Sequence, residues 1–426
     1  MSMANRFITT AAVAALAAAL PSGVVAQQAG PAQATAQATA LPAQAAAPTA
    51  PPFVVRWANG LSVESPDGDS KLQFGGLIQL DGRFDAGSPT SAVTDTFVLR
   101  RVRPILQGRA GRIFEFRIMP DFGGGTAVLF DAYFDTKLSS VARIRVGKDK
   151  TPLGYEQLLS DYAVVFPERT LVTNLVPNRD LGVQAQGDLA SGHITYIGGI
   201  FNGVADGTSG DVDTNSSKDG AGRVTFKAAG LGVAIAGTGG QQAGALPSFK
   251  TAAQQTFFSY AAGATADGSR TRVSPAAYYY SGVFGVFGEY VRSTQAVSKG
   301  GVHADIANSA WEVTGLVVAT GEKATDRGVV PARPFDLAKK QWGALQVAAR
   351  YAALRVDPQA FSLGLAGAGT SQKANAAGID ATWYVSSAVK YVLSYERTVF
   401  DDNPDGPRKP EHAIIFRLQF NLQPSL

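Results

Sequence analysis

The sequence contains no cysteine, which excludes a disulfide framework, a zinc–thiolate site and a cysteine nucleophile. Only three histidines occur, His193, His303 and His412, in separate segments without the spacing of metal ligands. They look like ordinary strand ends and not like the base of a serine hydrolase. No catalytic centre, metal site or cofactor is therefore expected. Beyond its first residues the chain has no apolar run of eighteen residues and no long stretch with a 3.6-residue apolar period. Both absences argue against a helical membrane protein. Excess charge is small as well: 38 Lys and Arg against 34 Asp and Glu, too little to imply nucleic acid as a partner. Gly123-Gly124-Gly125 lacks the Gly-Lys-Ser/Thr ending of a nucleotide loop and reads as a tight turn.

The N-terminal region divides in two. Arg6 precedes an apolar run over residues 7–20, and small residues lead up to Ala26. That order describes a secretory signal peptide over residues 1–26, since the run is too short to span a bilayer. Residues 27–52 carry no charge and are almost entirely Ala, Gln, Pro and Thr. Such a composition buries too little surface to offset the entropy of ordering, so a disordered spacer is expected. The folded part is then residues 53–426.

In that part, two-residue alternation recurs in segments of about ten residues cut by Gly, Asp, Asn and Pro, the signature of transmembrane strands. Ile414, Phe416, Leu418, Phe420 and Leu422 share one face, while Arg417, Gln419 and Asn421 share the other. Tyr391, Leu393, Tyr395 and Val399 alternate with Lys390, Ser394, Glu396 and Thr398 in the same way. Phe114, Phe116 and Ile118 alternate with Glu115 and Arg117, and Ile144 and Val146 with Arg143 and Arg145. One face must be wet and the other is uniformly apolar. Aromatics at Tyr278-Tyr279-Tyr280, Trp311 and Trp383-Tyr384 are expected to form interfacial girdles. The expected fold is all-β, a transmembrane antiparallel β-barrel in outer-membrane lipid. The length suits about sixteen strands, wide enough for an aqueous channel.

The stretch from Leu72 to about Gly203 resembles the phosphate-selective porin O and P family. The resembling segments are Phe74-Gly75-Gly76-Leu77-Ile78-Gln79 with Gly82-Arg83-Phe84-Asp85, then Phe97-Val98-Leu99-Arg100-Arg101-Val102-Arg103 and Asp121-Phe122-Gly123-Gly124-Gly125. They continue with Asp131-Ala132-Tyr133-Phe134-Asp135, Arg145 to Gly154, Glu168-Arg169 and Arg179-Asp180-Leu181-Gly182-Val183. The resemblance implies a homotrimer of sixteen-stranded channels, each narrowed by an inward-folded third loop and lined by arginines. Carried over by motif, it assigns Arg83, Arg100 and Arg101 to the pore wall and Asp131 to an acidic group orienting the constriction. It places Ser160 and Arg169 in and just after the third loop. The family's phosphate-binding lysine is Gln157 here, a loop serine is Asp161, and an aromatic is Arg103. A lost lysine and an added carboxylate weaken capture of a dianion.

The charge distribution supports a channel without that resemblance. Residues 100–169 contain twelve Lys and Arg against eight Asp and Glu, so positive charge is concentrated in one part of the wall. Alternation puts Arg101, Arg103 and Arg109 on one strand face and Arg100 on the other, so Arg100 is expected at a rim or a local bulge. Guanidinium groups in a narrow passage concentrate small anions and repel cations. The expected function is passive diffusion of small anions, phosphate or small carboxylates among them, across the outer membrane of a Gram-negative bacterium. Arg83, Arg100, Arg101, Arg103 and Arg169 would form the path, with residues 154–167 as the constriction. The alternatives are a non-selective diffusion porin and a structural or enzymatic outer-membrane barrel.

Overall fold

The computed structural model describes residues 53–57, 59–87, 95–210, 213, 215–401, 403 and 406–423. The expected signal peptide (1–26) and spacer (27–52) lie outside the described residues. The strands in chain order are β1 (Val54–Trp57), β2 (Leu61–Glu64), β3 (Lys71–Asp85), β4 (Thr96–Ala110), β5 (Phe114–Asp121), β6 (Val128–Lys137) and β7 (Arg143–Asp149). Next come β8 (Asp180–Leu189), β9 (Ile194–Phe201), β10 (Asp219–Ala228), β11 (Leu231–Gly244), β12 (Phe249–Lys250), β13 (Thr256–Phe258), β14 (Thr265–Ser281) and β15 (Phe284–Lys299). The last are β16 (Val302–Val318), β17 (Ala344–Arg355), β18 (Lys373–Tyr384), β19 (Val389–Asp401) and β20 (Glu411–Leu422). Two short helices, α1 (Tyr155–Leu158) and α2 (Pro358–Ser362), lie in connections. No helix among the described residues is long and apolar enough to cross a membrane.

Sixteen strands, β3 to β11 and β14 to β20, pair antiparallel with their neighbours, and β20 returns to β3 with Ala413 opposite Asp85 and Leu422 opposite Gly76. The sheet is therefore a closed barrel. Closure removes both edges, so the strands' backbone groups are paired without water, as a lipid environment demands. The β1–β2 hairpin continues the sheet along Lys71–Phe74, where β20 has ended. β12 and β13 form a separate small hairpin in the connection between β11 and β14.

The faces follow the expected alternation. In β20, Ala413, Ile415, Arg417 and Gln419 are buried inside while Phe416 and Phe420 are exposed on the outside. In β16, Glu312 and Thr314 are inside, and Trp311 and Val313 outside. A barrel that is apolar outside and charged inside is the inverse of a soluble protein, and lipid is the solvent that reconciles the two faces.

The aromatic girdle departs from expectation. Tyr279 and Trp383 face outward, and Trp383 stacks on Tyr391, which in turn stacks on Phe416. Tyr278, Tyr280 and Tyr384 instead face inward and join an apolar cluster in the lumen. Trp311 faces outward but sits near the middle of β16, against Tyr351. Successive residues of a strand alternate in direction, so an aromatic triplet cannot lie wholly on one face.

At one end of the barrel most connections are tight turns, such as those after β4, β10 and β14; at the other, the connections after β7, β9 and β11 are long. The lumen is not uniformly open. Leu171, Val172, Leu175 and Val176 pack with Phe249, Phe257, Phe258, Leu365 and Phe400 in one buried cluster. Tyr155, Val164, Val165 and Phe166 pack with Phe287, Leu316 and Tyr384 in another. These clusters fill the side of the lumen bounded by β14 to β19. They leave space along β4 to β9, where the arginines stand.

The outer face carries a testable consequence. Ile379 lies near the middle of β18, 62% exposed, between Ala349 and Tyr395 of the neighbouring strands. Ile379→Arg is expected to destabilise the barrel in lipid vesicles by about 2–4 kcal/mol, read as a lower denaturant midpoint for the vesicle-inserted protein. An unchanged midpoint would mean that this face does not meet hydrocarbon.

Candidate functional site: the pore constriction

The connection from β7 to β8, residues 150–179, folds into the lumen. It turns inward at Gly154, which has φ +73°, a backbone conformation that L side chains rarely adopt; a Cβ there would also press on both Val176 methyls at 3.1 Å. The first amides of α1, on Tyr155 and Glu156, donate to the Glu289 carboxylate of β15 at 2.6 and 3.0 Å. Arg350 of β17 donates to the Glu168 carbonyl at 2.7 Å, Arg417 of β20 to the Pro167 carbonyl, and Gln419 to the Tyr162 carbonyl at 3.1 Å. The two limbs of the loop are joined where Glu156 accepts from the Thr170 amide (2.7 Å) and hydroxyl (3.1 Å). The loop's polar backbone thus finds partners on the opposite wall, and its apolar side chains find the two clusters.

Where the loop faces β4, charges meet. The Asp161 carboxylate pairs with Arg103, with Arg169 at 2.6 Å, with Arg179 at 3.5 Å and with Arg101 at 3.8 Å. Glu168 holds Arg100 at 2.5 Å, Arg83 at 2.6 Å and Arg417 at 3.5 Å. Arg103 also pairs with Asp121 at 2.7 Å and Arg179 with Asp131 at 3.1 Å. The Arg103 and Arg179 guanidiniums both lie over the Phe130 ring, 3.8 and 3.7 Å from its centre, a cation–π contact that fixes their planes. Burial alone would raise the Asp161 carboxyl, but Arg169, Arg103, Arg101 and Lys150 outweigh it and hold it well below the usual carboxylate range. Glu168 is likewise pushed up by burial and held well below by Arg100 and Arg83.

Two cavities meet at this point. One, about 500 Å³, opens toward the long loops and is lined by Arg100, Arg101, Gln157, Glu168, Arg169 and Lys250 among others. The second, about 390 Å³, lies toward the short turns and is lined by Arg117, Tyr133, Arg145, Lys150, Ser160 and Gln184 among others. Arg103, Asp161 and Arg179 line both. These three residues therefore form the neck.

The sequence-derived residues fall unevenly around this neck. Arg100, Arg101, Arg103 and Arg169 all line the long-loop cavity. Asp131 and Ser160 line the short-turn cavity, where Asp131 orients Arg179 and also meets Arg117 at 3.5 Å. Arg83 lines neither; it is tied back to Asp81 at 2.9 Å and to Glu168. The bulge expected near Arg100 is present: Arg101 pairs with Gln79 and Leu99 with Leu80, so Arg100 is the extra residue and turns inward beside Arg101. Arg117 engages Asp131, and Arg145 pairs with Asp135 at 2.7 Å and with Asp149. Sequence reasoning gave no role to Arg179, Asp121 or Arg417, whose partners Asp131, Arg103 and Asp81 lie on other strands. It named no carboxylate partner for the neck arginines, whereas each that reaches the neck has one.

The sequence profile of the phosphate-selective porin O and P family matches residues 72–422, with the neck and every closing strand inside the match. The chain belongs to the phosphate-selective porin O and P family. Comparison with curated protein sequences returns no match. Among solved structures, the outer-membrane channel DcaP of Acinetobacter baumannii is similar at TM-score 0.57 and 13% identity, over 84% of this chain and 99% of that one. An anion-selective porin from Comamonas acidovorans is similar at TM-score 0.53 and 12% identity, over 83% and 100%. OmpT of Vibrio cholerae, solved as a trimer, is similar at TM-score 0.51 and 11% identity, over 83% and 99%. At such identities the structures share the fold. This porin is an outer-membrane channel of the Gram-negative type, and its family and fold point away from an enzyme. Among the described residues no cluster of His, Asp and Glu suits a metal ion.

The charge network fixes a pH dependence for the porin. Asp161 and Glu168 have folded-state pKa values below those of an unfolded chain. Their contribution to stability is therefore fully present above the unfolded carboxylate range and is lost as pH falls through the folded values. Heat-unfolding midpoints are expected to agree between about pH 7 and pH 5 and to drop only below about pH 4. A midpoint already falling between pH 7 and pH 5 would contradict this assignment.

Proposed function

We propose that the protein is a passive, water-filled pore that admits small anions in preference to cations and works as a homotrimer. The observation that carries this reading is the neck itself. Arg101, Arg103, Arg169 and Arg179 surround Asp161, and Asp121 and Asp131 are the further carboxylates paired with them, so four cations face three anions. Buried guanidiniums remain charged and present several donors. In a narrow passage their excess attracts anions, and the shared carboxylate keeps each site weak enough to release them. The anion selectivity named for the Comamonas acidovorans porin and the trimer form of the Vibrio cholerae protein support the same reading by analogy.

Phosphate is a solute of this pore but not a strongly retained one. Where the family carries a lysine this chain has Gln157, whose amide is taken up by Asn178 at 2.6 Å. Asp161 repels a dianion at the neck. Catalysis is no part of the reading: the His193 ring contacts the Lys227 carbonyl, His303 lies 3.7 Å from Asp267, and the His412 ring meets the Tyr395 hydroxyl. A general diffusion pore is the second reading, favoured by the pairing of every neck arginine with a carboxylate.

Single-channel recording across a KCl gradient separates the two. The unaltered chain is expected to reverse toward the chloride potential, and millimolar phosphate to reduce chloride current only partly. Replacing Arg101 and Arg103 together by glutamate is expected to lower the anion-to-cation permeability ratio by roughly tenfold or more. Asp161→Asn is expected to raise it. A ratio indifferent to both variants would leave a channel whose arginines only shape its lumen.

A further inference from the structure

The strands of the barrel differ in length. β14, β15 and β16 have 17, 16 and 17 residues, whereas a tilted strand needs about 9–11 to cross the hydrocarbon. Near the short turns their outward residues are large and apolar, as with Tyr279, Phe284 and Val286, so the excess length lies toward the long loops. In barrels of this kind the longer loops face the exterior. These strands therefore rise through the outer leaflet and past it.

From the short turns toward the long loops, β14 to β19 present apolar or aromatic residues outward up to Val273, Tyr290, Trp311, Ala353, Ala377 and Tyr395. Two residues further on, and on the same face, come Thr271, Arg292, Ser309, Arg355, Asn375 and Arg397. This step from apolar to polar marks the edge of the hydrocarbon. Trp311, whose ring lies 5.5 Å from that of Tyr351, is at that edge although it sits near the middle of β16, the level that interfacial aromatics take. The six polar residues just beyond it include three arginines and no carboxylate.

The centre of this belt is a row across three strands. Ser309 of β16 is paired with Arg292 on β15 and with Arg355 on β17. Neighbouring strands lie about 4.8 Å apart, so the two arginines leave the sheet roughly 10 Å from each other, with the serine hydroxyl between them. Both side chains are exposed, and among the described residues neither forms an ion pair. The acidic groups around them are engaged or stand further out. Asp357 accepts from the Ala307 and Gln359 amides at 2.9 Å each, Asp267 lies 3.7 Å from His303, and Asp305 is further along β16. The neck arginines differ, since each has a carboxylate within 4 Å. Free guanidiniums at the edge of an apolar surface attract anionic headgroups, and two that converge on one phosphate supply several charge-assisted hydrogen bonds.

We propose that Arg292, Ser309 and Arg355 form a site on the outer wall for the phosphate of an outer-leaflet lipid. The two guanidiniums and the Ser309 hydroxyl hold the phosphate, and the acyl chains run down the apolar face past Tyr290, Trp311 and Tyr351. In a Gram-negative outer membrane the lipid with this chemistry is the phosphorylated, acylated saccharide of the outer leaflet. The site lies outside the lumen and does not depend on which solute the neck admits.

The test uses the full chain refolded in detergent micelles and titrated with diphosphorylated lipid A, with bound lipid counted by native mass spectrometry. The unaltered barrel is expected to retain the lipid, and Arg292→Gln combined with Arg355→Gln to weaken its binding roughly thirtyfold. Each single variant is expected to weaken it roughly fivefold, and these carry the test if the double variant does not fold. Arg292→Lys with Arg355→Lys is expected to fall between, because an ammonium keeps the charge and loses the two-pronged contact. Lipid A stripped of its phosphates is expected to bind the unaltered barrel as weakly as the intact lipid binds the double glutamine variant. Equal retention of lipid A by the unaltered and glutamine barrels would overturn the proposal. So would displacement of the lipid by inorganic phosphate at matching concentration, which would make this a site for the free ion.

Discussion

The Asp161 carboxylate, set among Arg103, Arg169, Arg179 and Arg101, joins the loop that crosses the lumen to the wall it faces. Removed from bulk water, four guanidiniums would repel one another; this shared anion, with Asp121 and Asp131 beside it, offsets that repulsion at the narrowest point. The same carboxylate stands in the path of any permeating ion. On the proposed reading, this group both helps to tether the loop and filters solute.

Around this pairing the barrel divides its interior by polarity. Toward β14 to β19 the crossing loop buries Leu171, Val172 and Leu175 against Phe249 and Phe257 at the long-loop end, and Val164 and Phe166 against Phe287 and Tyr384 at the other. That side is largely a packed core, with a cavity at its short-turn end beside Tyr384 and Lys390. Toward β4 to β9 the wall carries arginines, carboxylates and glutamines, and the cavities lie there. A barrel of this width would otherwise be an open pipe. Filling one side with apolar side chains confines solute to the charged side, where electrostatic discrimination acts at short range.

Much of this was legible in the residues. The alternation of Ile414 to Leu422 with Arg417 and Gln419 gave β20 its faces, and the structure keeps them. The clash of Arg100 and Arg101 with strict alternation pointed to a bulge, and the pairing with Gln79 and Leu80 skips Arg100 as that clash required. The aromatic triplet at Tyr278 to Tyr280 misled, because composition near a strand end does not say which face each ring takes. Few of the arginines have a partner close by in the chain, Arg145 with Asp149 being one that does. Arg417 and Asp81, 2.6 Å apart, belong to opposite ends of the chain, and nothing local links them.

The sequence by itself determined the period of the strands, their apolar outward face, the concentration of positive charge between Arg100 and Arg169, and the exclusion of thiol chemistry. These are properties of single residues and their near neighbours, set by side-chain direction and transfer energy. Only the tertiary structure decided which guanidiniums are compensated and which residues form the neck. Those depend on barrel closure and on a loop packing across the lumen. Both bring together groups hundreds of residues apart, through contacts that no periodicity in the chain encodes.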